Sequence, residues 1–294
     1  MMLVSKSTDT EGGNAESAMG WLADAASRLD TARGLDAKLA AAKAVLGQAM
    51  DRYGPDLVLA WTGGKDSTLL VWLAREVCRE RSTPLPRLVT IDEGDTFPEI
   101  EAFLARLSRE WGFSPTVIGN AAILARHPAV GEYLPAAELG AANQAVLARI
   151  GFTGPGFPFD PDAPLGCQLM KTAPLTDFLE TQHVGALAVA IRRDEHPARA
   201  TETVCSPRTA PPHLRLHPLL PFRERDVWDA TFRYAIPFCA LYEQGYRSLG
   251  TRSGSHPAAP LPAWEQDLEH TPERVGRAAD KEQAMTWLRS LGYM

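Results

Sequence analysis

A short apolar run that stops at two glycines and leads into a helical pattern constrains the fold of this chain most strongly. Residues 57–61 are apolar and of strand length, and from residue 69 onward apolar residues recur every three to four positions, as on one face of a helix. Gly63 and Gly64 lie between the two patterns. A strand, a glycine turn and a helix in this order place free backbone amides beyond the carboxyl end of a strand, where open α/β sheets bind their ligands.

The same alternation of strand and helix patterns continues along the chain. Further strands are predicted at 88–91, 116–118 and 185–191, and helices at 35–53, 100–111 and 172–182. The last of these strands is apolar without interruption, which is typical of a strand buried on both faces. Over residues 55–235 the alternation predicts an α/β fold with a mostly parallel twisted sheet and helices on both faces.

Two local patterns add detail to this sheet. Thr96 and Glu99 have the spacing of a capping box, so a helix is expected to begin there. Arg215 and His217 are placed in a predicted edge strand. His213 shares a strand face with His217, but no third ligand accompanies them, so a metal site is not expected.

Composition divides the chain into three parts. The predicted parts are a loose leader at 1–30, an α/β domain at 31–238, and an irregular tail at 239–294 that closes with a helix at 272–291. Inside the domain the pattern loosens between residues 120 and 166. A helix-like piece at 136–150 is followed by a stretch rich in Gly, Pro and Phe at 151–166, which is predicted to be a binding loop or lid.

The overall composition excludes several classes of protein. Apolar residues make up 45% of the chain and charged residues 22%, as in soluble globular proteins. No apolar stretch approaches the ~20 residues of a membrane helix, and the first twenty residues lack the pattern of a secretory signal, so a cytoplasmic location without membrane contact is expected. The net charge of -6 argues against a broad nucleic-acid-binding face. The four cysteines include no C-x-x-C pair that would hold zinc or an iron–sulfur cluster.

The glycine turn has the residues of an anion site. Gly63 and Gly64 let the backbone approach an anion closely, and Lys65 adds a positive charge. Ser67 and Thr68 open the following helix, whose N-terminal amides and dipole favour a phosphate. The spacing differs from the G-x-x-x-x-G-K-[ST] of a Walker A loop. The sequence therefore predicts a phosphate site of another kind.

A second anion site is predicted after the buried strand at 185–191. Arg192, Arg193 and Arg199 follow this strand, so they are expected at the sheet edge that carries the glycine turn. Guanidinium groups bind the oxygens of sulfate and phosphate in pairs, which suits an anionic substrate. The alternative interpretation is a solvated run of charges whose arginines form salt bridges with neighbouring carboxylates.

The segment Thr62–Ser67 resembles the S-G-G-x-D-S loop of the PP-loop ATP pyrophosphatases, the adenine nucleotide alpha hydrolase-like superfamily, with Thr in place of the first Ser. The resemblance is strongest to the branch of 3′-phosphoadenylylsulfate (PAPS) reductase and the small subunit of sulfate adenylyltransferase. Further similar segments are Ile91–Gly94, Met170–Thr172, Arg192–Glu195, Pro218–Leu219, Tyr242–Gly250 and, in the tail, Glu273–Ala278. Together they extend the resemblance over most of the predicted domain.

The resemblance implies that ATP binds with Mg²⁺ and that the glycine turn holds its β- and γ-phosphates. The residues implied to bind the nucleotide are Trp61, Thr62, Gly63, Gly64, Lys65, Asp66, Ser67, Thr68, Asp92, Tyr246 and Arg247. Those implied to take part in catalysis are Lys65, Asp66, Lys171, Arg192 and Arg193, and those implied to bind the acceptor are Arg192, Arg193 and Arg199. Asp92 has a second interpretation, as the cap of a helix or turn.

These observations favour ATP-dependent transfer of AMP to a small anionic acceptor, with sulfate as the first candidate, and with a GTPase large subunit or a second copy of the chain as partner. No cysteine follows Cys239, so the tail cannot supply the thiol of a PAPS reductase, and Cys167 is interpreted as a buried thiol. Two alternatives stay open. One is a PAPS reductase-type enzyme or ATP-dependent sulfurtransferase, and the other is a nucleotide-binding subunit without catalytic activity.

Overall fold

The computed structural model describes residues 13–277, with side chains from residue 20 onward. Its strands are β1 Leu57–Ala60, β2 Arg87–Asp92, β3 Thr116–Gly119, β4 Tyr133–Pro135, β5 Gly156–Pro158, β6 Ala186–Ala188, β7 Cys205–Thr209 and β8 Pro212–Leu216. Its α-helices are α1 Gly13–Thr31, α2 Leu35–Tyr53, α3 Lys65–Arg81, α4 Pro98–Trp111, α5 Ala121–Leu124, α6 Gly140–Arg149, α7 Pro164–Cys167, α8 Ala173–Thr181 and α9 Glu224–Arg233. Among these residues, no helix is both long and apolar enough to cross a bilayer.

Six strands form one sheet in the order β3-β2-β1-β6-β8-β7. All neighbouring pairs are parallel except β7 and β8, which are antiparallel over five residue pairs. The predicted α/β sheet is therefore confirmed. The prediction of an edge strand at Arg215 is wrong, because β8 lies between β6 and β7. β7 forms the edge instead, and its Pro207 is of the residue type that sheets confine to their edges.

Side chains that alternate along the strands bury both faces of the sheet. Leu57 and Leu59 of β1 point to a large core that includes residues of α2, α3, α4 and α9, whereas Val58 points to the opposite face, where α8 packs. The carboxyl end of β1 opens onto the glycine turn and α3. This arrangement places the predicted phosphate site at the end of the sheet at which β1, β2, β6 and β8 all terminate.

The prediction of a loose leader over residues 1–30 is wrong for the part that the structure describes. Residues 13–31 form α1, and the side chains of Leu22, Ala25 and Leu29 are buried in the large core. Their spacing of three and four is that of one helix face. The segment is polar overall, so its composition predicts a loose leader although one narrow face of the helix is apolar.

Replacing Leu29 by alanine is expected to lower the free energy of unfolding by about 2–5 kcal/mol, because a fully buried leucine leaves a cavity when it is truncated. Urea denaturation measures this loss. Ser27→Ala is the matched control, since Ser27 is exposed on the same helix, and its effect should stay within about 0.5 kcal/mol. Equal effects of the two substitutions would show that α1 is not docked on the core.

The predicted capping box at Thr96 is also wrong. Phe97 is the residue that precedes α4, and no side chain caps the helix there. Pro98 occupies the first helical position, where its fixed φ suits a helix and its missing amide hydrogen costs nothing. Glu99 lies in the first turn, where a carboxylate interacts favourably with the helix dipole.

The region between residues 120 and 166 is built around a small core of its own. β4 and β5 form an antiparallel pair, and residues such as Leu134, Leu147, Phe159 and Met170 form one hydrophobic cluster. Asn120 donates to Asn143 at 2.7 Å and ties this unit to the end of β3. The predicted helix-like piece is present as α6. Of the helix predicted at 272–291, residues 273–276 form a 3-10 turn and the part after 277 lies outside the described residues.

Candidate functional site

The glycine turn between β1 and α3 forms a tight loop, residues 62–67. Gly63 has a φ of 76°, a conformation that favours glycine, and a Cβ there would lie 2.9 Å from Ile100 Cγ2. Ser67 closes the loop, since its hydroxyl accepts from the Thr62 amide at 3.2 Å and donates to the Gly64 carbonyl at 3.0 Å. The loop is therefore rigid before any ligand arrives.

Backbone amides of this loop are left without protein acceptors. Asp66 and Ser67 lie in the first turn of α3, where the helix offers no carbonyl to their amides. Within the described part of the chain, the Gly63 amide also has no acceptor. Thr62 is exposed and Gly64 and Asp66 are half-buried, whereas Gly63 and Ser67 are buried, so the loop faces solvent in part. Three free donors and the positive end of α3 therefore make an anion site.

Two of the residues predicted to bind the nucleotide lie beneath the loop instead of facing a ligand. Trp61 is fully buried and packs its ring against Phe103 and Phe113. Its indole nitrogen donates to the Thr68 hydroxyl at 3.2 Å, and Thr68 is buried as well. Both residues therefore support the loop from the core side.

The tail after residue 239 packs against the loop through Lys65. The Lys65 amide donates to the Tyr242 hydroxyl at 2.8 Å. The Lys65 ammonium is buried and donates to the Arg247 carbonyl at 2.8 Å and to Glu273 Oε1 at 2.5 Å. Burial acts to lower the pKa of Lys65, but the nearby Asp66 and Glu273 outweigh it and hold this pKa well above its ordinary value. Lys65 is therefore a buried cation that joins the loop to the tail.

Arg192 is the centre of the same network. It is fully buried, and its guanidinium donates to Asp66, to Glu273 and, at 2.9 Å, to Asp194. Burial acts to raise the pKa of Glu273, but the charges of Arg192 and Lys65 outweigh it and lower the pKa to about 2. Glu273 is thus an anion between the cations Lys65 and Arg192, and the Arg192 guanidinium pairs with three carboxylates.

The other two arginines of the predicted acceptor site lie elsewhere. Arg193 pairs with Asp30 of α1 at 2.5 Å and donates to the Glu202 carbonyl. Arg199 pairs with Glu195. The structure therefore does not bring Arg192, Arg193 and Arg199 to one anion, because carboxylates take up each guanidinium. The salt bridges agree with the alternative interpretation of the sequence, but Arg192 is buried and not solvated.

The remaining predicted residues have local partners. Asp92 Oδ1 accepts from the Gly94 amide at 2.9 Å, which is the turn-capping role. Lys171 pairs with Glu93 at 2.6 Å. Tyr246 packs edge-on against Phe97. The side chain of Arg247 is buried and pairs with Glu224 at 2.6 Å. Arg247 contacts Lys65 of the loop through its backbone carbonyl instead.

Sequence reasoning missed the contacts that the tail makes with Lys65. Glu273 and Tyr242 both contact Lys65. Asp194 accepts hydrogen bonds from Arg192 and from the backbone amide of Glu224 at the start of α9. The signals were present, because both tail residues lie in segments that resemble relatives. No pattern in the sequence, however, pairs them with Lys65.

The comparisons with known proteins agree with this fold. Among curated proteins, sulfate adenylyltransferase subunit 2 of Rhizobium sp. (strain BR816) is 27% identical over 220 residues, which is 67% of this chain and 64% of that protein. Among solved structures, FMN adenylyltransferase of Candida glabrata, in complex with FMN and the ATP analogue AMPCPP, has a TM-score of 0.53 at 20% identity, covering 90% of this chain and 83% of that one. Yeast FAD synthetase has a TM-score of 0.55 at 17% identity, covering 90% and 99%.

The family model of the phosphoadenosine phosphosulfate reductase domain matches residues 56–129 and 161–257, which are more than half of the chain. The match includes the glycine loop, the Arg192 segment and Tyr242. It omits residues 130–160, which carry the β4–β5 pair and α6. The chain therefore belongs to the family of the phosphoadenosine phosphosulfate reductase domain.

Proposed function

We propose that this chain binds ATP through the glycine loop and transfers its AMP group to a small anionic acceptor, with release of pyrophosphate. The observation that carries this proposal is the group of free amides at Gly63, Asp66 and Ser67, at the positive end of α3. Such donors suit the β- and γ-phosphates of a nucleotide. The similarity to a sulfate adenylyltransferase subunit 2 supports sulfate as the acceptor.

In the proposed reaction an acceptor oxygen attacks the α-phosphorus of ATP. A new bond forms between this oxygen and phosphorus, and the bond from phosphorus to the bridging β-oxygen breaks, so the electron pair leaves on pyrophosphate. Negative charge therefore grows where the loop amides already point, and fixed donors stabilise it without reorganisation. Mg²⁺ enters as the counterion of ATP, since Mg²⁺ is usually held by substrate phosphates with one or two carboxylates.

The buried network gives Lys65 and Arg192 a positioning role in this proposal. Arg192 holds Asp66, the residue after Lys65, and Glu273 joins both cations to the tail. These contacts fix the first turn of α3, from which two of the free amides project. A second subunit, such as a GTPase large subunit or a further copy of this chain, is proposed from the subunit name of the Rhizobium relative.

The environment of the cysteines does not favour the sulfur-transfer alternatives. Cys78, Cys167 and Cys239 are buried, and burial raises the pKa of Cys205 to about 12. A nucleophilic cysteine needs a lowered pKa and access to its substrate. We therefore place AMP transfer ahead of a reductase or sulfurtransferase, and ahead of a non-catalytic nucleotide-binding subunit.

Pyrophosphate release from ATP tests the proposal. We expect release that requires Mg²⁺ and depends on one of a panel of acceptors, namely sulfate, other oxyanions and FMN, with the chain alone or with a GTPase large subunit. FMN is included because the fungal structures of similar fold carry it. If a product forms from FMN and none from sulfate, the proposal of AMP transfer stands and its acceptor is FMN instead of sulfate. No release with any acceptor, from a chain that binds ATP, would contradict catalysis.

A further inference from the structure

Three basic side chains share one face of the outer strands β7 and β8. Ser206 pairs with Arg215 and Arg208 pairs with His213 across the two strands. Because side chains two positions apart point to the same face, Arg208, His213 and Arg215 lie side by side. Directly opposed residues have Cβ atoms about 4.5–5.5 Å apart and diagonal neighbours about 7–8 Å, which brings both guanidiniums within reach of one small group.

These side chains have buried nitrogens without protein partners. Nε of Arg208, Nε of Arg215 and Nε2 of His213 are all inaccessible to solvent and make no hydrogen bond within the described residues. Arg208 forms an ion pair with Glu202, but the distance of 3.9 Å is too long for a hydrogen bond. Burial, and then the charge of Arg208, lower the pKa of Arg215 to about 10, and the nearby charge of Glu202 only partly opposes them.

This group contrasts with the arginines near the glycine loop. Arg192 has three carboxylate partners, whereas Arg215 has no carboxylate within hydrogen-bond distance among the described residues. A buried donor without an acceptor costs about 1–3 kcal/mol, and more when it is charged. Two guanidiniums on neighbouring strands, each with such a buried Nε, are therefore suited to an anion that both can bind.

His213 narrows the chemistry of that anion. Its Nδ1 lies 2.8 Å from the Pro211 carbonyl, which can only accept, so Nδ1 carries the proton. Burial lowers the pKa of His213, and the neutral ring then presents Nε2 as an acceptor. An anion that carries a hydroxyl group satisfies this nitrogen as well as the arginines. Monohydrogen phosphate has such a group at neutral pH, and sulfate does not.

We propose that Arg208, Arg215 and His213 form a second anion site that binds a phosphate group in preference to sulfate. The site is separate from the glycine loop. Arg215 pairs with Leu187 of β6 and shares the sheet face on which α8 packs, whereas α3 packs on the other face. β6 also lies between β8 and β1, which carries the loop.

Calorimetric titration with inorganic phosphate, in the presence of saturating AMPCPP to fill the loop, tests this site. We expect one phosphate to bind, sulfate to bind at least about tenfold more weakly, and Arg215→Gln to weaken phosphate at least about tenfold. Arg208→Gln is a second variant with the same expectation, and it is safer for folding because Arg208 is at the sheet edge. Glycerol 3-phosphate in the same titration distinguishes free phosphate from a phosphate monoester as the ligand.

Arg193→Gln is the matched control, since Arg193 has a carboxylate partner in Asp30, and it should leave phosphate affinity unchanged. Equal phosphate binding by the wild type and by folded Arg208→Gln would overturn the proposal, as would the absence of phosphate binding by the wild type. A failure of AMPCPP to bind would count against the proposed function alone. The difference in phosphate affinity between the wild type and the arginine variants can still be measured in that case, and it tests the second site.

Discussion

Replacing Arg192 by methionine is expected to lower the free energy of unfolding by about 3–5 kcal/mol. The guanidinium is fully buried and has three carboxylate partners in Asp66, Asp194 and Glu273. Methionine fills much of the volume but supplies no charge, so the three carboxylates face one another with Lys65 as the remaining cation nearby. Chemical denaturation of the purified variant measures the loss.

Arg193→Met is the neighbouring control for this prediction. Arg193 pairs with Asp30 at a half-exposed position, where an ion pair contributes about 0–1 kcal/mol. Adding Glu273→Gln to Arg192→Met should recover part of the loss, because it removes one of the negative charges that Arg192 no longer balances. Equal losses for Arg192→Met and Arg193→Met would contradict a buried network centred on Arg192.

Replacing Gly64 by aspartate is expected to weaken ATP binding by on the order of 100-fold, since the new carboxylate lies at the site of the phosphates and repels them. The substitution should leave the fold intact. Gly64 is the N-cap of α3 with a φ of -72°, and a Cβ there makes only ordinary contacts, at 3.5 Å or more. Aspartate is a favoured N-cap residue because its carboxylate accepts from free amides of the first turn.

Gly64→Asn is the matched control. Asparagine has the size of aspartate and is an equally good N-cap, but it carries no charge. We expect the melting temperatures of the two variants to agree with that of the wild type, and ATP affinity to fall much further for aspartate than for asparagine. Equal affinities in calorimetry would show that no phosphate lies near this end of α3.

The fold was predictable because its signals are local in the sequence. The apolar run before Gly63 and the uninterrupted apolar run ending near Ile191 are short, bounded and separated by helical patterns, and they became β1 and β6 at the centre of the sheet. The segment at Cys205–Thr209 gave no such signal. It is polar and contains proline, so only its pairing with β8 identifies it as a strand.

The arrangement of the site was only partly predictable. The loop itself follows from its glycines and from the start of α3, since these properties are local. The partner of Lys65 cannot be predicted in this way, because Glu273 lies 208 positions along the chain and contacts Lys65 only when the tail packs on the loop. The arginines after β6 show the same limit. Their positions follow from the strand, and two of their partners, Asp194 and Glu195, are local in the sequence. The other carboxylates that neutralise them come from α1, α3 and the tail.

The amide resonances of the glycine loop test the central claim most directly. During titration with ATP and Mg²⁺, we expect the ¹⁵N–¹H signals of Gly63, Asp66 and Ser67 to shift most, and pyrophosphate alone to shift the same three. Gly20 in α1 is the internal reference and should not move. Saturable ATP binding that leaves the three loop amides at their original positions would contradict the claim that they hold the phosphates.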